Sequence, residues 1–157
     1  MTHMAHQHRE YCVRFGPQES LVGVITVPET DQYALKAPGF ILLSSGLFHH
    51  VGLNRLHVLF ARALARQGIC VLRFDMSGIG ESAQRDHEGT PDETRRVDMK
   101  AAMDVLECKE RVNTFVLAGL GSAADYAHQG AVADARVVGA IFLDGFCYPT
   151  LRYYLHR

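Results

Sequence analysis

An excess of charge of either sign is missing from this chain: 16 Lys and Arg stand against 17 Asp and Glu, for a formal net charge of -1. That balance gives no electrostatic footprint for nucleic acid or for an acidic lipid surface. Long hydrophobic runs are missing too. No segment approaches the roughly 20 apolar residues that span a bilayer, so no membrane span is expected. The N-terminus lacks the apolar core of a signal peptide, which points to the cytoplasm. Cysteine is sparse, and Cys12, Cys70, Cys108 and Cys147 lie far apart without a CxxC spacing. Cys70 and Cys147 fall in or at the end of apolar runs, where a thiol acts as a small core residue. His3, His6 and His8 gather in a terminal segment of the kind that is usually disordered, so no metal is expected there. Internal repeats, low-complexity tracts and domain linkers are absent as well.

What remains is an ordinary globular composition: 157 residues, 48% hydrophobic and 21% charged. That is enough for one domain with a real core and too little for two of ordinary size. The reading is a disordered tail over 1–8 and a single domain over 9–157. Tyr11 to Phe15 and Leu21 to Val27 cluster β-formers around Gly16-Pro17, which predicts a hairpin. A short buried strand, 39–43, ends at Ser44-Ser45-Gly46. From Asn54 to Gln67 a helical stripe is expected through Leu56, Phe60 and Leu64, with Leu59 and Ala63 beside it, stopped by Gly68. A strand over 69–74 leads into the turn Asp75-Met76-Ser77-Gly78-Ile79-Gly80. After a polar loop, 86–92, the segment 94–110 is amphipathic, with Met99, Ala102, Met103 and Leu106 on one face. A strand at 114–118, a helix at 122–132 and a strand at 137–143 follow, then an aromatic tail around Tyr153-Tyr154-Leu155. Strands alternating with helices after a hairpin predict a three-layer α/β sandwich: a mostly parallel sheet, an N-terminal antiparallel hairpin, and helices on both faces.

The stretch "VLAGLGSAADYA", residues 116–127, supports two motifs. Gly119-x-Gly121-x-x-Ala124 after a strand, with Asp144 ending the next strand, matches a dinucleotide-binding turn. Its glycines would let the backbone approach a pyrophosphate at a helix N-terminus. That motif belongs in the first βαβ unit, however, whereas here a hairpin and further strands precede it. No nucleotide or other cofactor is expected. The same letters form a small-x-nucleophile-x-small elbow, with Gly121 at its tip.

The order of elements decides for the elbow, because residues 9–157 resemble the α/β-hydrolase family. The hairpin looks like its first two strands, "PGFILLSSGLFHHVGLNR" like its third strand with the oxyanion loop, and "VLRFDMSGIGES" like its fourth strand with a D-x-x-G-x-G-x-S turn. "GLNRLHVLFARALARQG", "RFDMSGIGES" and "YPTLRYYLHR" are similar to small bacterial, serine-aminopeptidase-like hydrolases associated with the exosortase system. The resemblance implies Ser or Cys at the elbow tip, where this chain has Gly121. Glycine tolerates a positive φ but cannot attack a carbonyl. Ser122, one residue on, would leave the turn in another direction. It reads as a helix N-cap whose backbone N–H matches an oxyanion donor.

By the same resemblance, Ser45, Gly46, His49 and Ser122 belong to the oxyanion loop and pocket. Asp75, Gly78 and Gly80 belong to the first glycine turn, at the C-terminal edge of the sheet around one crevice with Ser44–Gly46 and Gly121. Asp144 is the available acid. His156 is the histidine that follows it, and Asp125 with His128 reads as a surface pair. His49 and His50 follow the third strand, where loop histidines are commonly solvated. Family members continue through further strands whose loops carry the acid and base. The expectation is therefore a truncated α/β-hydrolase fold, inactive alone, acting as a pseudoenzyme or interaction module. One alternative is an ester, peptide or thioester hydrolase completed by a missing C-terminal half or a partner; the other is a dinucleotide-binding protein. Strand 137–143 would then be an unpaired apolar edge beside Phe142, Phe146, Tyr148 and Tyr153. Through it the chain would form a homodimer or take a partner chain.

Overall fold

The computed structural model describes residues 8–29, 37–46, 48–84 and 89–145. Most of the N-terminal tail, with His3 and His6, lies outside these residues. So do Phe146, Cys147, Tyr148 and the aromatic tail with His156. His8, assigned to the tail from sequence, instead opens the first strand.

Six strands make one sheet. β1 (His8–Phe15) and β2 (Leu21–Pro28) form the hairpin, joined by a 3-10 turn over Pro17–Glu19. β3 (Gly39–Leu43), β4 (Val71–Phe74), β5 (Phe115–Leu120) and β6 (Val137–Leu143) complete it in the order β1-β2-β4-β3-β5-β6. β2 meets β4 antiparallel, and all pairings from β4 to β6 are parallel. Parallel strands are built to be buried on both faces, and their sequences are accordingly apolar at successive positions.

The helices divide between those faces. α2 (Pro91–Glu110) and α3 (Ser122–Ala133) cover Ile41, Leu43, Leu72, Phe74 and Leu117 with Met99, Met103, Leu106, Ala123 and Ala127. α1 (Leu56–Ala65) covers the alternate residues Leu42, Val71 and Ala118 with Ala61. The three-layer prediction holds, and side-chain alternation along each strand explains it.

α2 starts earlier than its apolar pattern suggested. Thr90 accepts from the Glu93 N–H, and the Glu93 carboxylate accepts from the Thr90 N–H. This capping box turns the end of the supposed polar loop into the first helical turn, with Pro91 at its head.

α1 corrects the expected stripe. Its buried residues are His57, Val58, Ala61 and Ala65, while Leu56, Leu59 and Phe60 are exposed. Small residues let the helix lie close to the sheet; of the expected stripe Leu64 packs against the sheet, while Leu56, Leu59 and Phe60 are left at the margin. Phe60 there meets the Phe40 ring, edge-on at 6.4 Å.

Charge is also buried on the α1 face. Arg73 of β4, its side chain 7% exposed, reaches Glu10 of β1 at 3.5 Å. Glu10 also takes two donors from Arg62 of α1 and one from Thr26 of β2. Sheet register makes this possible: Glu10 stands opposite Thr26, and Arg73 opposite Val24.

Candidate functional site

The carboxyl ends of β3, β4 and β5 meet at one edge of the sheet, the place where open α/β sheets take ligands. The turn after β4 explains its own sequence. Asp75 is 0% exposed, and its carboxylate accepts the His50 backbone N–H, His50 Nδ1–H at 3.0 Å and the Glu81 N–H at 3.0 Å. Gly80 makes room for that carboxylate, because a Cβ there would sit 2.3 Å from Asp75 Oδ2. Ser82 closes the turn, donating to the Asp75 carbonyl at 2.7 Å and accepting from the Val22 N–H at 2.9 Å. The D-x-x-G-x-G-x-S pattern is thus a set of mutual requirements. Burial alone would raise the Asp75 pKa, but the His50 and Glu81 hydrogen bonds outweigh it and hold the group below the ordinary carboxylate range.

The same bonds tie down the loop after β3. His50, expected to be solvated, is buried against Asp75, and only His49 is exposed, its ring edge-on to His50 at 5.5 Å. His57 of α1 is buried below. Burial first, then the charges of Arg73 and His50, press its pKa under the ordinary imidazole value, against the opposing effect of a hydrogen bond that the ring donates to the His50 backbone.

The elbow lies between β5 and α3. Gly119 is held so close to the helix that a Cβ would fall 2.1 Å from the Ala123 carbonyl oxygen. Gly121 has φ 61° and ψ -127° and occupies the N-cap position. Its N–H donates to the Leu143 carbonyl at the end of β6, at 2.8 Å. Ser122 is therefore the first helical residue rather than the cap, and the helix start has no side-chain capping bond. A Cβ on Gly121 would meet nothing nearer than Ser45 Oγ, 3.9 Å away. The tip has room for a side chain and carries none.

Beside these loops opens a crevice of about 480 Å³, within the range of small-molecule sites. Of the residues assigned to one crevice, Ser44, Gly46 and Gly78 line it. Ser45, Gly121, Asp75 and Gly80 do not line it; the buried carboxylate of Asp75 and the glycine that accommodates it form the floor of the turn. Asp144, with φ 49°, is exposed beyond β6 and does not line the crevice. His128 lies against the Phe142 ring, at 6.1 Å.

The far wall escaped the sequence reading. Asp98, Arg95 and Thr94 of α2 and Tyr126 of α3 form it, with Ser77 between. Asp98 is 0% exposed and accepts from the Ser77 N–H and hydroxyl at 2.8 and 2.9 Å. One signal was present: Asp98 interrupts an otherwise apolar face beside Met99 and Ala102, and a buried acid needs a partner. Among the described residues no group of His, Cys, Asp and Glu is arranged to hold a metal ion, and no helix is long and apolar enough to cross a membrane. Cys70 is buried, which pushes its thiol pKa up.

No protein-family model matches the sequence, and no curated protein does. Solved structures do match. A serine hydrolase homologue of α/β type from Coxiella burnetii is 24% identical with a TM-score of 0.64, over 85% of this chain and 61% of its own. A cold-adapted esterase from an Arctic intertidal metagenomic library is 20% identical with a TM-score of 0.65, over 90% and 62%. A hypothetical protein from Pseudomonas aeruginosa is 18% identical with a TM-score of 0.68, over 98% and 50%. The chain thus spans between half and about three-fifths of the length of these structures.

Proposed function

Because this chain is built on the α/β-hydrolase fold, we propose that it is a non-catalytic relative of those enzymes that binds a ligand at the C-terminal edge of its sheet. One observation carries the reading: the elbow tip, where acyl transfer needs an attacking oxygen or sulfur, is Gly121. The turn around it keeps the conformation that such a tip requires, and the open space beside Ser45 is free for a ligand group. Ser122 starts α3 and stands one residue away from the tip. Its backbone N–H remains suited to stabilising an oxyanion, which supports binding without attack.

The test is direct. The purified chain is assayed with short p-nitrophenyl esters and labelled with a fluorophosphonate probe. The expected result is neither sustained turnover nor covalent labelling. Robust turnover that disappears in Ser122→Ala would overturn the reading and make Ser122 the nucleophile.

The second part of the reading is association. β6 is one of the two edge strands of the described sheet, opposite β1, with Val138, Phe142 and Leu143 exposed and no charge or proline within it. Such an edge invites strand pairing, and two copies pairing antiparallel give a closed two-fold dimer.

A further inference from the structure

We propose that the crevice is a binding site for small monocarboxylates carrying a short apolar or aromatic body, with Arg95 receiving the carboxylate. The proposal names a ligand for the non-catalytic reading and rests on it only for the absence of turnover.

The crevice mixes polar side chains, among them Ser44, Ser77, Gln84, Thr94 and Arg95, with apolar surface. Met76, Ile79 and the Tyr126 ring supply apolar surface. Arg95 stands over Tyr126, its guanidinium carbon 4.6 Å from the ring centroid. This stacking fixes the plane of the fork without using its N–H donors. One donor goes to Asp92 Oδ1 at 3.0 Å, and Arg95 has no other hydrogen-bond partner among the described residues. Asp92 is itself exposed, and ion pairs to exposed carboxylates are weak and readily exchanged.

The remaining edge of the guanidinium matches a carboxylate in shape and charge. The other charged group lining the crevice among the described residues is Asp98. Its carboxylate is wholly buried and already accepts the Ser77 N–H and hydroxyl, so it is not presented to a cation. Among the described lining residues, Arg95 is thus the one cationic group. A phenylalkanoate is within the size that a 480 Å³ cavity admits.

The probes are phenylbutyrate, its neutral amide and the corresponding phenylbutylamine, titrated calorimetrically into the full chain. Phenylbutyrate should bind saturably, and the amide about tenfold or more weaker, since a charge-assisted fork is lost. Arg95→Gln should abolish the preference for the acid. Asp92→Asn should tighten acid binding, because it removes the carboxylate that competes for Arg95. Circular dichroism of each variant checks that it has folded. Equal binding of acid and amide, preference for the amine, no saturable binding, or folded Arg95→Gln with unchanged acid affinity would each overturn the proposal. The two readings fail separately. A chain that hydrolyses esters yet binds phenylbutyrate loses only the non-catalytic reading, and one inert to esters that binds no acid loses only the crevice.

Discussion

A methyl group added at Gly119 would land 2.1 Å from the Ala123 carbonyl oxygen, whereas one added at Gly121 would meet nothing nearer than 3.9 Å. The two glycines therefore answer to different constraints, steric at Gly119 and conformational at Gly121. Gly119→Ala has to push the start of α3 off β5, an overpacking cost of about 3 kcal/mol. Gly121→Ala has only to hold φ near 61°, a strain of about 1–2 kcal/mol. Urea unfolding should rank both variants below the parent, with Gly119→Ala the lower; the reverse order would mean that the helix start yields easily. The sequence made this tip legible because glycine, small residues and the strand-to-helix change are all local signals. It did not reveal that Asp75 is sealed under Gly80, since that depends on His50 arriving from another loop. Nor did it reveal Arg95 and Tyr126 as neighbours, because they come from separate helices.

Among the elements, the hairpin, β3 and the apolar face of α2 were readable from pattern alone, since each buries one consistent periodicity. α1 was not. Its largest apolar residues predicted the stripe, but a helix lying close on a flat sheet face buries Ala61 and Ala65 and leaves Leu59 out. β6 carries the element-scale prediction. Ile141 is no probe of edge pairing, because it packs against the α1-side cluster and a charge there would disturb the core. Val138, 60% exposed, is the better site. If two copies pair through β6, the parent should sediment as a dimer at micromolar concentration. Val138→Lys should then sediment as a monomer, as a charge blunts a sheet edge. A parent that is monomeric, or a dimer that Val138→Lys leaves intact, rules out this interface.

For the molecule as a whole, acid is the weak side. Asp75, Asp104, Asp134 and Glu10 all have pKa values lowered in the fold. For Asp134 the Arg136 hydrogen bond is the leading cause; for the other three, hydrogen bonds and cations overcome the opposing effect of burial. Each contributes stability that is present above the unfolded carboxylate range and lost as pH falls through the folded value. His57 is also lowered, from 6.5, so the unfolded chain takes its proton first and stability begins to decline below that value. Denaturant midpoints measured against pH should therefore fall gently through the imidazole range and steeply through the carboxylate range. His57→Gln should flatten the first limb, and Asp75→Asn should shrink the second. A midpoint that rises on acidification would contradict this assignment.

The bond from the Gly121 N–H to the Leu143 carbonyl has a consequence in time. β1 and β2 can pair as soon as both have left the ribosome. β3 must wait for two later strands, because its neighbours in the sheet are β4 and β5. The elbow waits longest, since the partner that steadies its tip is the last residue of β6. During synthesis the chain therefore carries a formed hairpin well before it carries a formed elbow, whose steadying partner is made after β1 to β5.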